Sequence, residues 1–143
     1  MKNLLNNYLY YKNGIIIMQT FYINQYSTLP LLKMELIQDG RHDFHKFHEA
    51  IQDCTITFTM VNKQNNIIKI ANAPAYIQLK KHQGCSEEYL ICYDWKERDV
   101  KEKGIYDAYF TLNFNGNLTN ETETYPQGKL IVPIEEKLEI IIL

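Results

Sequence analysis

The stretch that most constrains the fold of this chain is 104–114, because its side chains separate at alternate positions onto two faces. One face is apolar and consists of Tyr106, Ala108, Phe110, Leu112 and Phe114. The other carries Asp107, Thr111 and Asn113, with Ile105 and Tyr109 as apolar exceptions. A period of two is typical of a β-strand with one buried face. We therefore predict that Tyr106, Phe110 and Phe114 point into a hydrophobic core.

Gly104 and Tyr106 stand where the chain would enter this strand, after the polar turn 96–99. A tyrosine in that position can bury its ring and return its hydroxyl to the backbone of the loop, as in the tyrosine corner of immunoglobulin-like sandwiches. Trp95 closes a preceding strand, predicted over 88–95, that is apolar on both faces and therefore central in a sheet. Structural roles are predicted for Trp95, Gly104 and Tyr106.

Similar alternation predicts further strands along the chain, over 15–23, 32–37, 55–60, 67–71, 76–80, 130–134 and 138–142. A hairpin turn is predicted over 63–66 and an interruption at Ala73-Pro74. Asp43 as N-cap, with Phe44, Phe47 and Ile51 at helical spacing, predicts a short helix over 43–51. Two antiparallel sheets packed face to face are the best way to bury so many strands that have one apolar face. The predicted fold is all-β, an immunoglobulin-like antiparallel β-sandwich with one short helix.

The length of 143 residues is that of one domain. We assign 18–143 to the sandwich and 1–17 to an N-terminal extension, which either binds a neighbouring molecule or results from the choice of translation start. Residues 1–17 lack the apolar core of an export signal, and no apolar run approaches the 18 or so residues of a membrane span. Because the net charge is −2 and the basic residues are scattered, nucleic acid is not an expected partner.

The histidines and cysteines do not form a convincing metal site. His42, His45 and His48 are spaced by three, whereas zinc ligands on a helix are better spaced by four. A second group, His82, Cys85 and Cys92, includes a cysteine expected to be buried within a strand. A solvated helix face and structural thiols are the preferred interpretations, so no metal and no cofactor are predicted.

Catalytic chemistry is not predicted either. A nucleophilic Cys54 would need a nearby histidine, which the sequence does not place. The paired carboxylates at 87–88 and 135–136 are adjacent, so on a strand they point to opposite faces and cannot act together. The chain is accordingly expected not to be an enzyme.

Eleven tyrosines are the most distinctive feature of the composition. Most are expected to lie between core and solvent, but a tyrosine outside the core offers the amphipathic area typical of interfaces. Tyr8, Tyr10 and Tyr11 lie in the unpatterned extension. They are the predicted partner-binding residues.

From about Met18 onward the chain resembles the immunoglobulin-like domain at the N-terminus of phage baseplate upper proteins. The resemblance rests on the peptides 32–40, 55–60, 93–95, 104–114 and 130–134. It implies a virion structural component, made in the cytoplasm of a bacterial host, that anchors a fibre or decorates the particle. In that family a long stalk follows the sandwich, whereas this chain ends at Leu143. The expectation is therefore an accessory module, present in many symmetric copies.

The expected partners are other virion proteins, namely capsid, fibre or baseplate subunits, with neither nucleic acid nor membrane involved. The alternative is a carbohydrate-binding module that recognises host surface glycans, with an exposed Trp95 or tyrosines as stacking platforms. A hydrolase is a third and weaker hypothesis, because no nucleophile, base and orienting residue converge.

Overall fold

The computed structural model describes residues 10–12, 15–17, 19–36, 53–81, 87–114, 128–133 and 137–143. These contain β1 (Tyr10–Lys12), β2 (Ile15–Ile17), β3 (Gln19–Ile23), β4 (Leu32–Leu36), β5 (Thr55–Asn62), β6 (Ile68–Lys81), β7 (Glu87–Tyr93), β8 (Gly104–Phe114), β9 (Gly128–Val132) and β10 (Leu138–Ile142). A 3₁₀ helix spans Glu97–Val100. The predicted all-β class is confirmed, and the helix predicted over 43–51 lies outside the described residues.

Strands β3 to β10 form one sheet of eight strands, in the order β3-β10-β8-β5-β6-β7-β4, with β9 also paired to β8. Strands β9 and β10 lie end to end along one edge of β8, from the pair Phe114↔Gly128 to the pair Gly104↔Ile142. On its other edge β8 pairs with β5 over eight residues. Strand β8, which has the clearest side-chain alternation, is therefore central in the sheet.

One pairing differs from the predicted antiparallel arrangement. Strand β3 runs parallel to β10, with Gln19 opposite Leu138 and Ile23 opposite Ile142. The other pairs within the described ranges are antiparallel, so the sheet is mixed. Parallel neighbours need a long connection, and here almost the whole domain separates β3 from β10. Local sequence patterns carry no information about such a pairing.

The predicted interruption at Ala73-Pro74 is wrong, because β6 continues through it. Up to Ala75 this strand pairs with β5, and from Tyr76 onward it pairs with β7. The β5–β6 register shifts between Phe58 and Met60. Proline is tolerated in a strand at bulges, where the ladder of hydrogen bonds is already disrupted. Pro74 therefore lies close to where β6 passes from one set of strands to the other.

The N-terminal strand predicted over 15–23 is two strands with different partners. Ile15–Ile17 pairs with Tyr10–Lys12 as a separate two-stranded antiparallel sheet, whereas Gln19–Ile23 joins the large sheet. The extension thus contains a strand, β1, that the sequence analysis did not predict. The hairpin turn over 63–66 is confirmed between β5 and β6.

The eight-stranded sheet curls until its two ends face each other across the core. The ring of Phe21 on β3 lies 5.9 Å from that of Trp95, which follows β7. Phe58 on β5 stacks on Tyr93 of β7 at 4.5 Å. Because β3 and β7 lie near opposite ends of the strand order, these contacts close the sheet into a nearly barrel-like shape. The core takes alternate residues from β3, β4, β5, β7, β8 and β10.

Candidate functional site

The residues predicted to be structural lie at the centre of the core. Phe110, Phe114 and the Tyr106 ring are buried, which confirms the predicted inward face of β8. The Tyr106 hydroxyl donates a hydrogen bond to the Glu102 carbonyl at 2.8 Å. Gly104 has a φ of 151°, a conformation that favours glycine over residues with a side chain. The tyrosine-corner geometry inferred from the sequence is therefore present at the entry to β8.

Trp95 belongs to a buried aromatic cluster, and its side chain is only 4% exposed. Its ring meets Tyr93 edge-on at 5.3 Å and Phe58 at 5.7 Å. These contacts support the predicted structural role. They also prevent Trp95 from serving as an open platform on which a sugar could stack.

Asp99 is a buried carboxylate that sequence reasoning missed. It accepts a 2.6 Å hydrogen bond from the Tyr93 hydroxyl and a 2.9 Å bond from the Lys96 backbone N–H. Together these contacts tie the 3₁₀ helix to the end of β7. In sequence Asp99 is the last residue of the polar turn 96–99, which looks fully solvated. The signal available was a carboxylate three residues after Lys96, a spacing at which it can accept from the backbone N–H of the residue before the helix.

Neither described cysteine is suited to nucleophilic catalysis. Cys54 lines an apolar cleft of about 390 Å³ between β5, β6 and β7. Burial raises its pKa to about 11, so the sulfur remains a thiol at neutral pH. Cys92 is fully buried, and burial raises its pKa as well. Both behave as structural thiols.

The predicted metal-binding candidates lie largely outside the described residues, which exclude His42, His45, His48, His82 and Cys85. Within the described part of the chain, no group of three or more His, Cys, Asp or Glu side chains is placed to hold a metal ion. In the same residues, no helix has the length and apolarity needed to cross a membrane.

The N-terminal extension, residues 1–17, is the part of the chain best suited to contact a partner. Tyr10 and Tyr11 lie in β1, opposite Ile17 and Ile16 of β2, while Tyr8 precedes the described residues. This N-terminal hairpin, β1 with β2, has no ladder to the eight-stranded sheet. An isolated two-stranded hairpin is marginally stable in water and needs a surface to pack against. Tyrosine and isoleucine make up five of its six strand residues.

Comparison of the chain with family models, with curated proteins and with solved structures gave no match.

Three tyrosine hydroxyls with raised pKa values predict a loss of stability in alkali. Hydrogen bonding to Asp94 raises the pKa of Tyr76 to about 12, and burial raises the pKa values of Tyr93 and Tyr106. Unfolded tyrosines lose their protons near pH 10, whereas these three retain them in the folded protein. Their contribution to the stability of the folded protein is therefore complete below pH 10 and is lost as the pH rises further.

We expect the urea midpoint under reducing conditions to fall progressively between about pH 10 and pH 12. Tyr93→Phe should make this fall shallower, because it removes one of the shifted groups. A midpoint independent of pH across that range would contradict the assignment.

Proposed function

We propose that this protein is a non-enzymatic virion structural protein of a bacteriophage. It is a small immunoglobulin-like accessory module that decorates the capsid or anchors fibre proteins at the capsid or at the tail and baseplate. It is present in many symmetric copies and binds other virion proteins through its N-terminal extension. Its place of action is the virion, after synthesis in the cytoplasm of the bacterial host.

Three features support an immunoglobulin-like sandwich as the finer description of the all-β fold. The Tyr106 hydroxyl bonds back to the loop that precedes its own strand. Strand β6 passes from β5 to β7 and so connects two layers of strands. Rings from β5 and β7 meet between those layers, as in a sandwich core.

The observation that carries the functional proposal is the N-terminal hairpin, which lies outside the large sheet. The ladder of the eight-stranded sheet is complete without β1 and β2. A neighbour in a particle could cover the hairpin and supply the packing that it lacks alone. Fold alone does not define function, and this unpaired element is what favours an attachment role.

The alternative of a carbohydrate-binding module loses its best residue, because Trp95 is buried. Tyr22, Tyr26 and Tyr76 are exposed tyrosines that could replace it. Titration with host surface glycans separates the two proposals. A structural module should show no saturable binding, whereas saturation that Tyr26→Ala abolishes would favour the glycan-binding alternative.

Deletion of residues 1–17 tests the attachment role. We expect the truncated protein to retain a cooperative thermal transition close to that of the full chain, since β1 and β2 take no part in the eight-stranded sheet. Incorporation into particles should fall at least tenfold, measured by mass spectrometry of purified virions that receive each form in trans. A Thr55→Ala variant, altered at an exposed site away from the extension, is the matched control. Normal incorporation of the folded, truncated form would refute the proposal.

A further inference from the structure

Strand β4 forms one end of the eight-stranded sheet, and one of its edges is free. Its ladder joins it to β7, from the pair Leu32↔Tyr93 to the pair Leu36↔Tyr89. Within the described ranges, no strand pairs with its other edge. An edge strand presents backbone N–H and C=O groups that can pair with another chain. The free edge of β4 is therefore a place where a further strand can extend the sheet.

The two faces of β4 differ in character. Leu32 and Met34 are buried in the core. Lys33 is exposed and Glu35 is half-buried, so these two side chains alternate with the core residues and lie on the outer face. Among the described residues, neither Lys33 nor Glu35 has a partner in a salt bridge. The strand at the free edge thus carries a cation and an anion, two residues apart on one face.

This charge pattern is complementary to itself. When two β4 strands pair antiparallel about a two-fold axis at Met34, residue 33 of each copy lies opposite residue 35 of the other. Lys33 then faces Glu35 twice, once on each side of the axis. Opposite charges directly across an antiparallel ladder stabilise the pairing of the strands. A contact of this kind is isologous, and two-fold dimers are the commonest homo-oligomers.

Neighbouring registers lack this complementarity. An axis at Lys33 would place two lysines opposite each other, and an axis at Glu35 would do the same with two carboxylates, which destabilises the pair of strands. An axis between two residues would set the inner face of one copy beside the outer face of the other. Charges on an edge strand generally oppose pairing, but in β4 their order favours one antiparallel register over its alternatives.

We propose that the free edge of β4 pairs with β4 of a second copy of this chain, antiparallel and centred on Met34. The two eight-stranded sheets then continue into each other across a two-fold axis. Main-chain hydrogen bonds supply the affinity in contacts of this type, and the two Lys33–Glu35 pairs fix the register. The contact uses no residue of the N-terminal extension, so it goes beyond the proposed function and does not depend on it.

Charge reversal in the full chain tests the proposal. Lys33→Glu makes both outer positions of β4 acidic and Glu35→Lys makes both basic, so either variant alone sets like charges opposite each other. A mixture of the two variants again pairs acid with base, as does the double variant Lys33→Glu/Glu35→Lys. The matched control is Lys129→Glu, which makes the same change in net charge at an exposed position on β9.

Sedimentation equilibrium under reducing conditions at low ionic strength measures the association. The unaltered chain, the control and the double variant should dimerise with rising concentration. Each single reversal on β4 should weaken dimerisation by at least about tenfold, and the mixture of the two should recover it as a 1:1 heterodimer. Added salt should weaken the dimer of the unaltered chain, because salt screens exposed charge pairs.

Two results would overturn the proposal: an unaltered chain that stays monomeric, or dimerisation that Lys33→Glu leaves unchanged. Because Lys33 is exposed, its comparison with the control is decisive even if position 35 does not accept a lysine. Thermal melts followed by circular dichroism show which variants are folded. Dimerisation that persists in Lys33→Glu and is lost on deletion of residues 1–17 would place the contact in the extension, against the proposal.

Discussion

Phe58→Ala is expected to lower the free energy of unfolding by about 3–5 kcal/mol, the range for truncating a buried phenylalanine. Phe58 is fully buried and lies within 5.7 Å, centroid to centroid, of Tyr93, Phe110 and Trp95. These rings come from both sides of the curled sheet, so their packing cannot relax by moving one strand. The resulting cavity should remain largely open.

Urea denaturation followed by tryptophan fluorescence measures this effect, since Trp95 is the only tryptophan and contacts Phe58. Thr55→Ala, an exposed substitution on the same strand, should change stability by no more than about 0.5 kcal/mol. A cost for Phe58→Ala below about 1 kcal/mol would be incompatible with a ring shared between the two sides of the core.

Asp99→Ala is expected to lower the free energy of unfolding by about 2–4 kcal/mol, because it leaves a buried hydroxyl and a partly buried backbone N–H without their acceptor. The Tyr93 hydroxyl and the Lys96 N–H both bond to one carboxylate oxygen of Asp99. The bond from Tyr93 is buried, whereas the bond from Lys96 is only partly buried. Asp99→Asn keeps one oxygen acceptor in nearly the same shape, so it should recover at least half of the loss.

A double-mutant cycle with Tyr93→Phe isolates the contribution of the hydroxyl–carboxylate bond. We expect Asp99→Ala to lower the free energy of unfolding by less in the Tyr93→Phe background, because one of the two donors that would lose their acceptor is then absent. The thermal or urea midpoints of the four proteins supply the comparison. Strict additivity of the two substitutions would show that the 2.6 Å bond contributes nothing to stability.

Local sequence patterns were sufficient to predict the structure wherever neighbouring residues decide the conformation. The bounds of β8 agree with the alternation of 104–114, and its inward residues are those assigned from a period of two. The tyrosine corner could be inferred because Tyr106 bonds to Glu102, only four residues away. The hairpin turn over 63–66 is a similar case, since a short polar loop between two alternating segments favours one local structure.

Predictions from the sequence were wrong where contacts between distant parts of the chain decide the structure. The sequence predicts a strand break at Pro74, but proline is tolerated there because the β5–β6 register beside it is irregular. The parallel pairing of β3 with β10 joins the two ends of the domain, and no local signal specifies it. Asp99 appeared to be a solvated turn residue because the ring that covers it, Tyr93, follows from the curl of the sheet.

The candidate interaction elements divide in the same way. Tyr10 and Tyr11 stand out in the sequence because they lie in a segment without strand alternation, and their role in partner binding stays a prediction. Ile105 also stands out, as an apolar exception on the polar face of its strand. The sequence could not show that Ile141 and Tyr22 lie beside it, because those neighbours come from strands β10 and β3.

Side-chain alternation is a local property of an extended backbone, so the order of amino acids is enough to predict that this chain forms strands and which side of the central strand is buried. The order of the strands, the parallel pairing of β3 with β10 and the apolar outer row of Tyr22, Ile141 and Ile105 are visible only in the folded chain. Each of these depends on register between segments far apart in the chain, which is set by how the whole core packs.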